Sequence, residues 1–104
     1  MRDFKDKTAV ITGGASGIGR AMGELFLAKG MNVVLADIEQ KALDAAVAVL
    51  KAGGGRCIGV LTDVSKAGDV QGLADAALAE FGAIHIACNN AGVFAGGLLW
   101  EQSL

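Results

Sequence analysis

The sequence predicts an α/β protein built on a doubly wound parallel sheet. Three observations carry this. Short apolar runs alternate with amphipathic stretches along the chain. A turn in which four of eight residues are glycine, TGGASGIG (Thr12 to Gly19), joins the first apolar run to the first amphipathic stretch. The later apolar runs close on Asp37, on Thr62-Asp63 and on Asn89-Asn90. Apolar runs of this length read as strands covered on both faces. Strands joined through helices run parallel, with right-handed crossovers.

Thr8 to Thr12 (TAVIT) is the first strand, ending at glycine. From Gly17 to Lys29, Ile18, Met22, Leu25 and Phe26 recur at helical spacing, and Gly30 supplies a stop. Met31 to Ala36 (MNVVLA) is the second strand, closed by Asp37. Glu39 to Ala52 repeats the helical pattern through Ala42, Leu43, Ala46, Val47 and Leu50, and the triplet Gly53-Gly54-Gly55 breaks it. Cys57 to Leu61 (CIGVL) is the third strand. Ser65 is placed to cap the helix that carries Val70, Leu73, Ala77 and Phe81 on one stripe, with Gly82 as its stop. Ile84 to Cys88 (IHIAC) is the fourth strand, and a further helix is expected to begin near Trp100.

The order is therefore β-α-β-α-β-α-β, with the strands expected side by side as 3-2-1-4. Right-handed crossovers place the first two helices on one face and the third on the other. Cys57 and Cys88 then lie on the two outermost strands. They are three strand spacings or roughly 14 Å apart, too far for a disulfide. The fourth strand is an apolar edge without a charged residue, which invites self-association.

Composition removes several functions. At 104 residues and 53% hydrophobic the chain can build one modest core. A net charge of −2 offers no basic surface for nucleic acid. No apolar run reaches the length of a membrane span, and MRDFKDK has no apolar core behind it, so a cytoplasmic protein is expected. One histidine and two cysteines without a C-x-x-C supply no metal set.

Chemistry concentrates at the carboxyl ends of the strands, where ligands bind in such sheets. A helix N-terminus has unpaired N–H groups and a positive dipole end, so TGGASGIG suits a pyrophosphate. A side chain at Gly13, Gly17 or Gly19 would obstruct it. Asp37, 18 residues after Gly19, suits both hydroxyls of an adenosine ribose or, equally, the cap of the next helix. Its charge would repel a 2′-phosphate, and neither Ser16 nor Ile38 offers a compensating cation, which favours NAD over NADP. Asp63 is either an acceptor for an adenine amino group or a turn aspartate.

TGGASGIG, then Asp37, then Asp63-Val64, then NNAG (Asn89 to Gly92) resembles the short-chain dehydrogenase/reductase family, from residue 8 to about residue 100. The resemblance implies a Rossmann-type oxidoreductase that moves hydride between a nicotinamide cofactor and an alcohol or carbonyl. It assigns Gly13, Ser16, Gly17, Ile18 and Gly19 to the pyrophosphate turn, Asp37 to the ribose, and Asp63 and Val64 to the adenine. Asn89, Asn90, Ala91 and Gly92 fall at the nicotinamide side, with NNAG also steadying the central sheet. The family's proton transfer uses a Tyr-x-x-x-Lys pair and a serine on a later strand, and this chain contains no tyrosine. Its serines are Ser16, Ser65 and Ser103, and its one histidine, His85, is expected inside the sheet. The 104 residues therefore read as one NAD(P)-binding domain, incomplete at its C-terminal side. No catalytic residue is assigned in it, and an alcohol or carbonyl substrate is expected only with the missing half. The alternative is a non-catalytic module that binds NAD or adenine nucleotides, or that pairs with a complete relative.

Overall fold

A computed structural model describes residues 4–89 of the protein. Its elements are β1 (Thr8–Thr12), α1 (Gly17–Ala28), β2 (Asn32–Asp37), α2 (Gln40–Ala52), β3 (Cys57–Leu61), α3 (Ala67–Phe81) and β4 (Ile86–Asn89). The four strands are all parallel, in the order β3-β2-β1-β4. The register sets Thr12 opposite Ala36 and Asn89, and Asp37 opposite Leu61. All four carboxyl ends therefore lie along one edge of the sheet.

Alternation along the central strands feeds two cores. Ile11, Val33 and Leu35 point to one face and pack with Leu43, Ala46 and Leu50 of α2, and Cys57 joins them from β3. Met22 and Phe26 of α1 cover the same cluster. Val10, Val34 and Ala36 point to the other face and meet Leu73 and Ala77 of α3. Two helices thus cover one face and one covers the other, as the crossover rule requires. Burying each large aliphatic side chain contributes about 1.5–3 kcal/mol, so these two layers hold the site's scaffold.

The apolar periodicity misleads in α1. Ile18 is 70% exposed and Leu25 54% exposed. The face turned to the sheet is Gly19, Met22, Gly23 and Phe26, itself a helical stripe, but half of it is glycine. A Cβ at Gly23 would lie 2.8 Å from Leu50 Cδ1, so α1 approaches through its backbone, and a hydrophobicity pattern cannot register that. Ala42 of α2 is likewise exposed, whereas the expected stripe of α3 is buried or half-buried from Val70 to Phe81.

Three further expectations need correction. Ser65 does not cap α3. Lys66 stands at the cap position without a side-chain bond, and the Ser65 hydroxyl turns back to Asp63. β4 begins at Ile86, not Ile84. His85 precedes the strand and is exposed rather than interior. Its Nδ1 accepts the Thr8 N–H at 3.0 Å, while its own N–H donates to the Thr8 carbonyl at 2.9 Å. Gly82 does end α3, in the left-handed conformation with φ 82°. Both cysteines are free, as the strand order demands. The expected helix near Trp100 lies outside the described residues.

Candidate functional site

The turn after β1 is held by a nearly complete set of hydrogen bonds. The Gly14 N–H donates to the Ala36 carbonyl at 2.9 Å, which extends the β1–β2 ladder by one rung. The Ser16 N–H donates to the Gly13 carbonyl at 3.1 Å. Ser16 caps α1: its Oγ accepts the Gly19 N–H at 3.0 Å and donates to the Gly13 carbonyl at 2.8 Å. The Arg20 N–H reaches the Ser16 carbonyl at 2.9 Å. The first two helical N–H groups, those of Gly17 and Ile18, have no such partner among the described residues. They stand together at the positive end of the α1 dipole.

The glycines of the turn serve different purposes. Gly13 has φ 66°, a conformation that side chains resist. A Cβ at Gly19 would strike the Gly13 carbonyl oxygen and come within 2.8 Å of Gly14 Cα, so the helix start and the turn touch backbone to backbone. A Cβ at Gly14 would lie 2.8 Å from Leu35 Cβ. At Gly17 nothing lies within 4 Å, so that side of the turn is open space. Only Gly13, Gly17 and Gly19 stand out in the sequence as turn glycines. Gly14 is needed for packing on β2, and no spacing rule reveals that.

Asp37 ends β2 beside this turn. Its Oδ2 accepts the Ala15 N–H at 3.0 Å and its Oδ1 accepts the Glu39 N–H at 3.1 Å, where Glu39 caps α2. Asp37 therefore does not cap α2: Glu39 stands at the cap position without a side-chain bond, and Asp37 holds only the N–H of that residue, together with a bond to the glycine turn that the sequence does not disclose.

Asp63 follows β3. Its Oδ1 accepts both the Ser65 hydroxyl at 2.6 Å and the Ser65 N–H at 3.0 Å. These bonds, the hydroxyl first, hold its carboxyl below the ordinary carboxylate pKa. The Asp63 N–H donates to Asp69 Oδ2 at 2.9 Å, joining the turn to the first turn of α3. The turn-aspartate reading is the one its contacts display, and Val64 is half-buried within that turn. Asn89 is the last residue of β4, and its Oδ1 accepts the Thr12 hydroxyl at 2.8 Å, fixing β4 against β1. Asn90, Ala91 and Gly92 lie outside the described residues.

Ile18, Ile38 and Leu61, at 70%, 61% and 52% exposure, all follow or close the strands at this edge. Burial pushes the Cys57 thiol up to about 11 and raises that of Cys88 as well, so neither is poised as a nucleophile. Among the described residues no group of side chains could hold a metal ion, and no helix is long and apolar enough to cross a membrane.

Comparison with known proteins agrees with this architecture. Residues 7–103 match the model of the short chain dehydrogenase family. The chain is 45% identical over 105 residues to the 2,5-dichloro-2,5-cyclohexadiene-1,4-diol dehydrogenase of Sphingobium indicum, covering 100% of this chain and 41% of that protein. It is 47% identical over 93 residues to tropinone reductase-like 1 of Erythroxylum coca, covering 89% and 33%. The crystal structure of a short chain dehydrogenase/reductase from Burkholderia phymatum in complex with NAD superposes with a TM-score of 0.86 at 54% identity, covering 97% of this chain and 36% of that one. The chain thus spans well under half the length of the relatives it matches, and the part it carries is the Rossmann-type half with strand order 3-2-1-4. By this match across nearly its whole length, the chain belongs to the short-chain dehydrogenase family of oxidoreductases.

Proposed function

We propose that the 104 residues form one cofactor-binding domain that takes the adenosine diphosphate end of NAD along the carboxyl edge of the sheet. The whole protein would transfer hydride between NAD and an alcohol or carbonyl substrate. The observation that carries this is the pair of N–H groups at Gly17 and Ile18 that have no partner among the described residues, beside open space at Gly17. A pyrophosphate needs such donors and such an approach.

In this reading Gly17 and Ile18 donate to the pyrophosphate from the backbone. Gly13, Ser16 and Gly19 hold the turn that aims them. Asp37 offers its remaining lone pairs to the adenosine ribose. Asp63 and Val64 border the adenine, and Asn89 to Gly92 the nicotinamide ribose. The nicotinamide, when bound, supplies or accepts the hydride. The preference for NAD over NADP rests on the Asp37 carboxylate and on Ser16, whose hydroxyl is already committed to the turn.

A second reading has an observation of its own. The sequence contains no tyrosine, and the family's proton donor is one. The 104 residues alone are therefore proposed to bind cofactor without turning over a substrate. They are also proposed to self-associate through β4, which among the described residues pairs only with β1.

Calorimetric titration of the chain with NAD and with NADP tests the main reading. Saturable binding that favours NAD is expected. Equal affinity for the two cofactors would remove the role given to Asp37, and binding of neither would remove the function.

A further inference from the structure

We infer that Asp37 is a positioning residue for the phosphate turn, fixing the turn to the second strand before any nucleotide arrives. The inference rests on the nucleotide reading above and extends it. A residue that only faced the ribose would need no tie to residues 13–19. Asp37 has one. Its Oδ2 takes the Ala15 N–H at 3.0 Å across 22 residues of sequence, and its Oδ1 takes the Glu39 N–H at 3.1 Å. One planar group thereby joins the middle of the turn to the cap of α2.

A carboxylate is suited to this and an amide is not. Both backbone partners are donors, and both carboxylate oxygens accept. An asparagine at the position presents one oxygen and one NH2, so one of the two N–H groups would face another N–H. Ser16 works from inside the turn on Gly13 and Gly19, and Asp37 works from outside it on Ala15. Together with the backbone bonds of Gly14, Ser16 and Arg20, they leave only the Gly17 and Ile18 N–H groups between residues 14 and 20 without a partner among the described residues. The direction of those two donors thus depends on Asp37. A carboxylate tethered at both oxygens also cannot swing away from a 2′-phosphate. Exchange for asparagine would relieve that repulsion, but it would loosen the turn as well.

The experiment uses two probes on the full 104-residue chain, ADP and 2′,3′-dideoxyadenosine 5′-diphosphate. The second lacks the hydroxyls that Asp37 would accept. Asp37→Asn is expected to weaken the dideoxy compound roughly tenfold, through the turn alone, and ADP by at least as much, because ADP loses its ribose contact as well. Loss of affinity for ADP alone, with the dideoxy compound unaffected, would reduce Asp37 to a ribose ligand and overturn the inference. A readout without ligand guards against a variant that fails to fold. In the unaltered chain the Ala15 amide proton should exchange slowly, and in Asp37→Asn it should exchange faster. An Ala15 amide that exchanges at the rate of an open loop in the unaltered chain would overturn the inference. Should neither nucleotide bind while the Ala15 amide behaves as expected, the nucleotide reading fails and the clasp stands.

Discussion

The two ends of the sheet are built from the same strands and differ in what their polar groups leave open. At the amino end, side chains and backbone close around Asn32. Asn32, buried at the start of β2, accepts Arg56 Nε at 2.8 Å and donates to the Asp6 carbonyl and the Thr8 hydroxyl, both at 3.3 Å. Arg56 also lies 3.5 Å from Asp6 and over the Phe81 ring. At the carboxyl end, Ser16 and Asp37 hold the backbone of the glycine turn, Asp63 takes both the hydroxyl and the N–H of Ser65, and Thr12 pairs with Asn89. Among the described residues two N–H groups there stay open, and three large apolar side chains are exposed. Polar groups with no partner inside a protein are costly unless water or a ligand meets them. One end closes the fold, and the other presents open donors that the proposed reading gives to a ligand.

The most severe way to break this comparison is at the glycines of the turn. Gly19→Ala drives a methyl group into backbone atoms that no side-chain rotation can clear, so a loss of about 3 kcal/mol or more is expected by chemical denaturation. Gly17→Ala meets no atom and sits at a helical position. Its stability should hold or rise by about 0.5 kcal/mol, while nucleotide affinity falls because the methyl group occupies the open approach. If both variants lose stability alike, the assignment of Gly17 to the ligand and Gly19 to the fold is wrong.

Asn32→Ala tests the closed end. It strips the Arg56 Nε and the Thr8 hydroxyl of a partner at a buried position, and a loss of about 1–2 kcal/mol is expected with NAD affinity unchanged. A fall in affinity matching that of a turn variant would mean that the two ends are not independent. The exposed pair between Arg56 and Asp6 adds little to that loss, because both side chains are largely in solvent.

The side of β4 away from β1 supplies a smaller effect. Ile86 sits on that strand half-buried, and a lysine there resembles the charges that protect natural sheet edges. Sedimentation of the unaltered chain is expected to show self-association, and Ile86→Lys is expected to shift it toward monomer. A monodisperse parent chain would remove the proposal that this edge attracts a partner.

Much of this was legible in the sequence, for reasons that name its limits. The strand order followed from alternating elements and the handedness of crossovers, because both are generic to parallel sheets. TGGASGIG was legible as the turn from β1 into α1, because glycine accepts backbone conformations and close approaches that other residues resist, and Asp37 was legible as the close of β2. Ile18 and Leu25 misled because a helix that packs through Gly19 and Gly23 leaves its apolar residues outside. Ser65 misled because a hydroxyl beside an aspartate can bond that carboxylate instead of a helix N–H. The bond from Ala15 to Asp37 was invisible because it joins residues brought together only when β1 and β2 pair.

The smallest expected effect separates two readings of Asp63. Its carboxyl is held below the ordinary range first by the Ser65 hydroxyl and then by the Ser65 N–H. Ser65→Ala removes the first of these, so carbon NMR should show the Asp63 pKa rising toward its ordinary value. A depressed carboxyl contributes stability that is present above the unfolded carboxylate pKa and is lost as pH falls through the folded one. The variant should therefore be slightly less stable than its parent near neutral pH, and the difference should vanish once the pH is below the carboxylate range. With Oδ1 committed to Ser65, a turn aspartate predicts unchanged NAD affinity across this substitution. An aspartate that also accepts the adenine amino group predicts weaker binding, because the hydroxyl that orients its carboxylate is gone. Measured together, the NMR titration and the affinity decide whether this third loop belongs to the ligand or only to the fold.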